Sequence, residues 1–204
     1  MDRTVRRAGE PDREAVVGLL DRALREDPVS CWVFPAVSHR AARHRRLMAA
    51  FVDRALEGGF IDVTVNVSAA LLQVPVHEAD SRLDGRESGF GVDAPARLRE
   101  AVDPGNERVE LLDRVLATAH PPTPAHCYFT MIGVTPSLQS AGLASALLTC
   151  ALEQCDGKGL AAYLEASNTR SRRLAERFGF RLHGPELALP GGPVMWPMWR
   201  DPSR

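Results

Sequence analysis

Four cysteines in 204 residues, with no pair at CxxC spacing, give this chain neither a disulfide framework nor a zinc-ribbon signature. Cys31, Cys127, Cys150 and Cys155 are instead expected as buried or partly buried free thiols in a reducing compartment. There is no run of ~18 apolar residues, so no transmembrane helix is expected. The opening Met1-Asp2-Arg3-Thr4 lacks the apolar core of a signal segment, and the expected location is cytoplasmic, with no membrane partner. An excess of charge is missing too. The formal net charge is −1, whereas a general nucleic-acid binder is usually basic, so no nucleic-acid partner is expected. Internal repeats and low-complexity tracts are absent. What is present is a composition 45% hydrophobic and 25% charged, enough for one globular domain over residues 1–204 with a proper core.

Patterning divides the chain into alternating elements. Thr4–Ala8 reads as extended. Pro11 opens a helix whose stripe is Val16, Leu19, Leu20, Ala23 and Leu24, ending at Asp27-Pro28. Residues 29–38 read as an apolar connector. A helix follows over 39–57, stopped by Gly58-Gly59. Phe60–Val67 and Leu71–Val76 read as a hairpin. Residues 77–106, rich in charge, Gly and Pro, are the expected variable segment on the substrate side, with room for a short helix near 94–101. Val109–Ala119 has a helical stripe. His126–Val134 is a strand, Gly142–Gln154 a helix, Leu160–Ala166 a strand and Thr169–Phe178 a helix. Short extended pieces follow. Val194–Arg200 is the last strand, and its Pro197 predicts an edge position. The order implies an α/β chain of the α+β type with mixed strand directions.

The stretch Ile132-Gly133-Val134-Thr135-Pro136-Ser137-Leu138-Gln139-Ser140-Ala141-Gly142-Leu143-Ala144 carries the chemistry. A strand runs through a turn into a loop of small residues that opens a helix. Small residues admit close backbone approach, and the unpaired amides of a helix N-terminus suit an anionic pyrophosphate.

This segment resembles motif A of the GNAT acetyltransferases, whose loop reads Gln/Arg-x-x-Gly-x-Gly/Ala and here reads Gln139-Ser140-Ala141-Gly142-Leu143-Ala144. Tyr163-Leu164-Glu165-Ala166-Ser167 and Arg177-Phe178-Gly179-Phe180 resemble motif B. Pro124–Phe129 and Pro190–Trp196 are similar to the branch that includes puromycin N-acetyltransferase. The resemblance implies a GNAT fold, with a mixed, splayed central β-sheet flanked by helices. It implies acetyl-CoA as co-substrate, no metal, and a small-molecule primary amine as partner. Pantetheine would enter between the splayed strands and pair with backbone at Ile132 and Val134, either side of Gly133. The amides from Gln139 to Ala144 would bind the pyrophosphate, with Ser140 and Ala144 tolerable in place of glycine if their φ is negative. A homodimer is left open.

The sequence departs from the pattern in three places. The branch has a basic residue where Ala141 stands. Many of these enzymes have a tyrosine acid after Leu174, where this chain has Ala175, and the branch asparagine corresponds to Ser171. A thiol with a pKa near ~8.5 is a good leaving group, so loss of that acid need not stop turnover.

Glu165 is the leading base, because a carboxylate between Leu164 and Ala166 on a buried strand is costly unless paired; its alternative is a structural ion pair with an arginine. Tyr128 is a candidate acid or substrate contact, or a core aromatic. Ser171 is a candidate contact to pantetheine or the sulfur, or a polar residue of a helix N-terminus. His126 reads as a surface or packing histidine. The run His39, Arg40, Arg43, His44, Arg45, Arg46 reads as a solvated helix face, with acidic substrate, coenzyme A phosphates or RNA as alternatives. His39 and His44 lie five apart, off one helical face, which argues against a metal pair. Two rival functions follow: an acyl-CoA-binding module without turnover, and an interaction protein using residues 39–46.

Overall fold

A computed structural model describes residues 2–77 and 94–203; residues 78–93 of the expected variable segment lie outside the described residues. Strand β1 (Val5–Arg7) leads through a 3-10 turn at Glu10–Asp12 into helix α1 (Arg13–Leu24). Helix α2 (Pro28–Val33) comes next. This corrects the reading of 29–38 as a connector. Asp27 accepts from the Val29 amide and Pro28 stands at the first helical position, so the residues that stop α1 also start α2. Helix α3 spans Val37–Gly58, and β2 (Phe60–Thr64) and β3 (Ala69–Val76) form the expected hairpin. Helices α4 (Ala94–Val102) and α5 (Glu107–Ala119) complete the first half. Then follow β4 (His126–Val134), α6 (Leu143–Gly157), β5 (Ala161–Ala166), α7 (Thr169–Arg177), β6 (Arg181–Leu182), β7 (Leu187–Ala188) and β8 (Val194–Arg200).

The strands form one sheet in the order β1-β2-β3-β4-β5-β8-β6, with β7 also paired to β8. Pairing is antiparallel except between β4 and β5. Strand β8 is therefore interior rather than an edge. Its Pro197 carbonyl accepts from the His183 amide. In an antiparallel ladder the N–H and C=O of one residue face the same neighbour, so the donor that proline lacks falls toward β6, where the ladder is two residues long.

Two apolar cores lie on opposite faces. One joins α1–α5 to Ile61, Val63, Ala70, Leu72 and Met131. The other joins α6 and α7 to Leu71, Cys127, Phe129, Ala162 and Ala166, with Ile132, Val134 and Leu164 packed against it. A bulge makes this division possible in β4. Leu72 pairs with Met131 but Gln73 pairs with Phe129, which leaves Thr130 as an extra residue. The extra residue shifts the alternation, so Phe129 and Ile132 share a face and Met131 turns to the other.

Candidate active site

The parallel ladder between β4 and β5 covers only three pairs, His126–Ala161, Cys127–Ala162 and Tyr128–Tyr163. Beyond Tyr128 the bulge bends β4 away, while β5 stays with β8 through Ala166–Trp196. The strands open into a V. A cleft of ≈ 1170 Å³, counted with its solvent mouth, passes through that V and joins the two faces of the sheet. On the α6/α7 face it is lined by Leu71, Ile132, Leu148, Leu174 and Ala175. On the other face its walls include Leu47, Met48, Phe51, Leu112 and Met131.

At the throat stand Tyr128 and Glu165. The Tyr128 hydroxyl donates to Glu165 Oε2 at 2.7 Å, and Glu165 Oε1 has no hydrogen-bond partner. Because Ala162, Leu164 and Ala166 point to α6 and α7, Glu165 and Tyr163 point to the opposite face. Burial pushes the Glu165 carboxyl up to about 7, against the smaller opposing pull of the Tyr128 and Tyr163 hydroxyls. Burial, with the neighbouring carboxylate adding to it, holds Tyr128 well above the ordinary tyrosine range. The partner of Glu165 is thus a tyrosine, not the arginine that a structural ion pair would supply.

The loop that leads into α6 has two residues in the left-handed region. Gly142 is the N-cap of α6 at φ 83°, with no side-chain cap. The first intrahelical bond runs from the Ala146 amide to the Gly142 carbonyl, so the amides of Gly142, Leu143, Ala144 and Ser145 are the orphan donors of that helix start. Ser140 sits at φ 66°, in the left-handed region, so the condition of negative φ for replacing glycine is not met there. Arg170 donates to Gln139 Oε1 at 2.6 Å and to Ser140 Oγ at 3.1 Å, tying the start of α7 to this loop. The Arg3 guanidinium also lies against it: a Cβ on Gly142 would be 3.0 Å from Arg3 Cζ. Two cations therefore stand at the loop although Ala141 is not basic. Gly133 faces away from the loop, toward α1, where a Cβ would come within 2.7 Å of Leu20 Cδ2.

Ser171 lines the cleft as the third residue of α7. Its amide donates to Asn168 Oδ1 and its hydroxyl oxygen accepts from the Asn168 amide, a reciprocal cap. Sequence reasoning missed the residue that anchors this corner. Asp27 Oδ2 accepts from Ser167 Oγ at 2.7 Å and from Asn168 Nδ2 at 2.9 Å, and its Oδ1 accepts from the Val29 amide. The signal is an Asp-Pro pair, an N-cap followed by proline, which reads equally as the end of the preceding helix. His126 is fully buried; its Nδ1–H donates to the Pro124 carbonyl at 2.8 Å, and its Nε2 accepts from His120 Nε2, 3.1 Å away. Burial holds His126 below the ordinary histidine value, and burial with the neighbouring His126 brings His120 down to about 4.

The basic run at 39–46 is a solvated face only in part, since His39, Arg45 and Arg46 are exposed but Arg40 and His44 are not. Arg40 is buried on Glu26 and the Phe34 carbonyl, and His44 is buried between Asp21 and Ser30. His39 pairs with Asp103 and Arg45 with Glu14. All four cysteines are free thiols, with Cys127 and Cys155 buried. Among the described residues no group of three or more potential metal ligands is present, and no helix is long and apolar enough to cross a membrane.

A sheet split between two parallel-paired strands, with an uncapped helix start at its mouth, is an arrangement that matches the GNAT fold. Residues 107–180 match the Acetyltransferase (GNAT) family. Similar solved structures span its length. A histone acetyltransferase HPA2 and related acetyltransferase from Corynebacterium glutamicum is 22% identical, with TM-score 0.71, covering 98% of this chain and 97% of its own. A mosquito arylalkylamine N-acetyltransferase like 5b is 17% identical, with TM-score 0.68 and coverages of 97% and 99%. A Drosophila melanogaster polyamine N-acetyltransferase is 14% identical, with TM-score 0.59 and coverages of 97% and 99%.

Proposed function

We propose that the chain transfers an acetyl group from acetyl-CoA directly to the primary amine of a small molecule, with Glu165 as the base. The observation that carries this reading is Glu165 itself. Its Oε1 is buried with no hydrogen-bond partner, on a side chain that lines a cleft walled from both faces of the sheet.

The residues at the loop fit the co-substrate. The orphan amides of Gly142–Ser145 and the guanidiniums of Arg3 and Arg170 suit a pyrophosphate. The β5-facing edge of β4 beyond Tyr128, at Ile132 and Val134, has no strand partner on that side and offers backbone groups to pantetheine amides. Bound there, acetyl-CoA supplies an acyl group activated as a thioester. Glu165 accepts the proton the ammonium must lose before nitrogen can attack, and a carboxyl held at about 7 is suited to that exchange near neutral pH. Tyr128 stays protonated and fixes the carboxylate through Oε2, leaving Oε1 for the amine. Ser171 holds the end of α7 at the cleft wall. Two of the similar structures are named for the acetylation of amines, which supports an amine acceptor.

One observation favours a second reading, an acyl-CoA-binding module without turnover: Ala175 lines the cleft and has no proton to give. Incubation with acetyl-CoA, a panel of primary amines and a thiol reagent separates the two. The transferase reading expects amine-dependent thiol release. Tight coenzyme A binding without thiol release across the panel supports the binding module instead.

A further inference from the structure

Building on the transferase reading, we infer that the acceptor is a primary amine carried on a single apolar body, aryl or alkyl, with no second cation and few hydroxyl groups. The inference rests on the chemistry of the cleft wall opposite α6 and α7.

That wall is built from Leu47, Met48, Phe51, Leu112, Leu116 and Met131. The described residues lining the whole cleft include two carboxylates, Asp27 and Glu165, and no lysine or arginine. An acceptor bearing a carboxylate or phosphate finds no counter-charge there, and an ammonium does.

The polar lining groups are already engaged. Ser30 Oγ contacts His44 Nε2 at 3.0 Å, and Thr130 Oγ1 donates to the Leu72 carbonyl at 3.4 Å. Ser167 and Asn168 both donate to Asp27, whose other oxygen caps α2. Tyr128 donates to Glu165. The unspent acceptor is Glu165 Oε1, and it can receive one ammonium. Asp27 is committed to three donors that hold Ser167, Asn168 and the start of α2, so it is less free to take a second cation than Glu165 Oε1 is to take the first. A polyamine or a guanidino-amine would bury its distal charge against Met and Phe side chains without a partner. An amino sugar would strand its hydroxyls in the same way. Both placements are heavily penalised. An aryl or alkyl body gains by the same burial.

The test compares kcat/KM for thiol release from acetyl-CoA with phenethylamine, hexylamine, spermidine, agmatine and glucosamine, beside the Kd of acetyl-CoA measured separately. Phenethylamine or hexylamine is expected to exceed the other three by at least ~100-fold, about the cost of one unpaired buried polar or charged group. Phe51→Ala is expected to lower kcat/KM for phenethylamine about tenfold while leaving acetyl-CoA Kd within about twofold, because Phe51 lies on the acceptor wall. Turnover of spermidine, agmatine or glucosamine equal to or above that of the apolar amines overturns the acceptor assignment and leaves the transferase reading intact. Acetyl-CoA binding with no turnover of any amine overturns both.

Discussion

Replacing Glu165 by glutamine separates two consequences of the proposal that this buried carboxylate is the base. The folded carboxyl titrates at about 7, against an ordinary 4.5, because burial disfavours its charged form. A raised acid contributes stability that is complete below its unfolded pKa and is lost as pH climbs through the folded one. The native state therefore pays for ionising Glu165 between about pH 4.5 and 7, a total of about 3 kcal/mol at ~1.4 kcal/mol per pKa unit. Between pH 5 and 8 the share lost is roughly 2–3 kcal/mol. Glu165→Gln removes this titration while keeping an acceptor for the Tyr128 hydroxyl. Its new NH2 group stands where Oε1 had no partner, and that costs a similar amount at every pH. The readout is therefore the slope and not the absolute stability. Urea denaturation of both proteins at pH 5, 6, 7 and 8 should show wild type losing roughly 2–3 kcal/mol relative to the variant across the series. Acetyl transfer by the variant should fall by ~100-fold or more, as expected for loss of a positioned base. Parallel stability profiles would refute the reasoning, since they would show that the carboxyl is not held in its neutral form by burial.

Tyr128→Phe removes a donor that pulls the Glu165 pKa down, so the pH midpoint of kcat/KM should move above its wild-type value by up to about one unit, read from rate profiles over pH 5.5–9. Asp27→Ala deletes the cap of α2 and the tether on Ser167 and Asn168. It should cost about 1–2 kcal/mol in urea denaturation and weaken acetyl-CoA binding measured by calorimetric titration. Gly133→Ala drives a methyl into Leu20 on α1 and should cost about 1–3 kcal/mol, again by urea denaturation, with acetyl-CoA affinity nearly unchanged, because the contact is on the face away from the phosphate loop.

The order of elements was readable because most of them announce themselves locally. The stripe of α1, the glycine stop after α3, the hairpin and the β4-to-α7 unit follow from periodicity and turn residues. Three features were not legible, each because it depends on a neighbour distant in sequence. Pro197 has the signature of an edge, yet β8 lies inside the sheet, since the missing donor faces the short β6. The basic run at 39–46 looks like a solvated face, yet Arg40 and His44 are buried because Glu26, Asp21 and Ser30 reach them from α1, α2 and their junction. Asp27-Pro28 marks an end and a beginning at once, and the pair does not reveal that Asp27 also reaches Ser167 and Asn168 some 140 residues away. Within the site, an acid on β5 could be named from sequence. Its tyrosine partner came into view only with the Tyr128–Tyr163 register and the bulge at Thr130.

The most direct test of Glu165 as the base in amine acetylation is the pH dependence of amine-dependent thiol release from acetyl-CoA, in wild type and Glu165→Gln at saturating acetyl-CoA. The predicted wild-type kcat/KM rises with pH through a midpoint near the Glu165 value of about 7, and that inflection is absent from the much slower variant. A variant that matches wild type in rate and profile, or a wild type that binds acetyl-CoA and releases no thiol to any amine between pH 6 and 9, would contradict it.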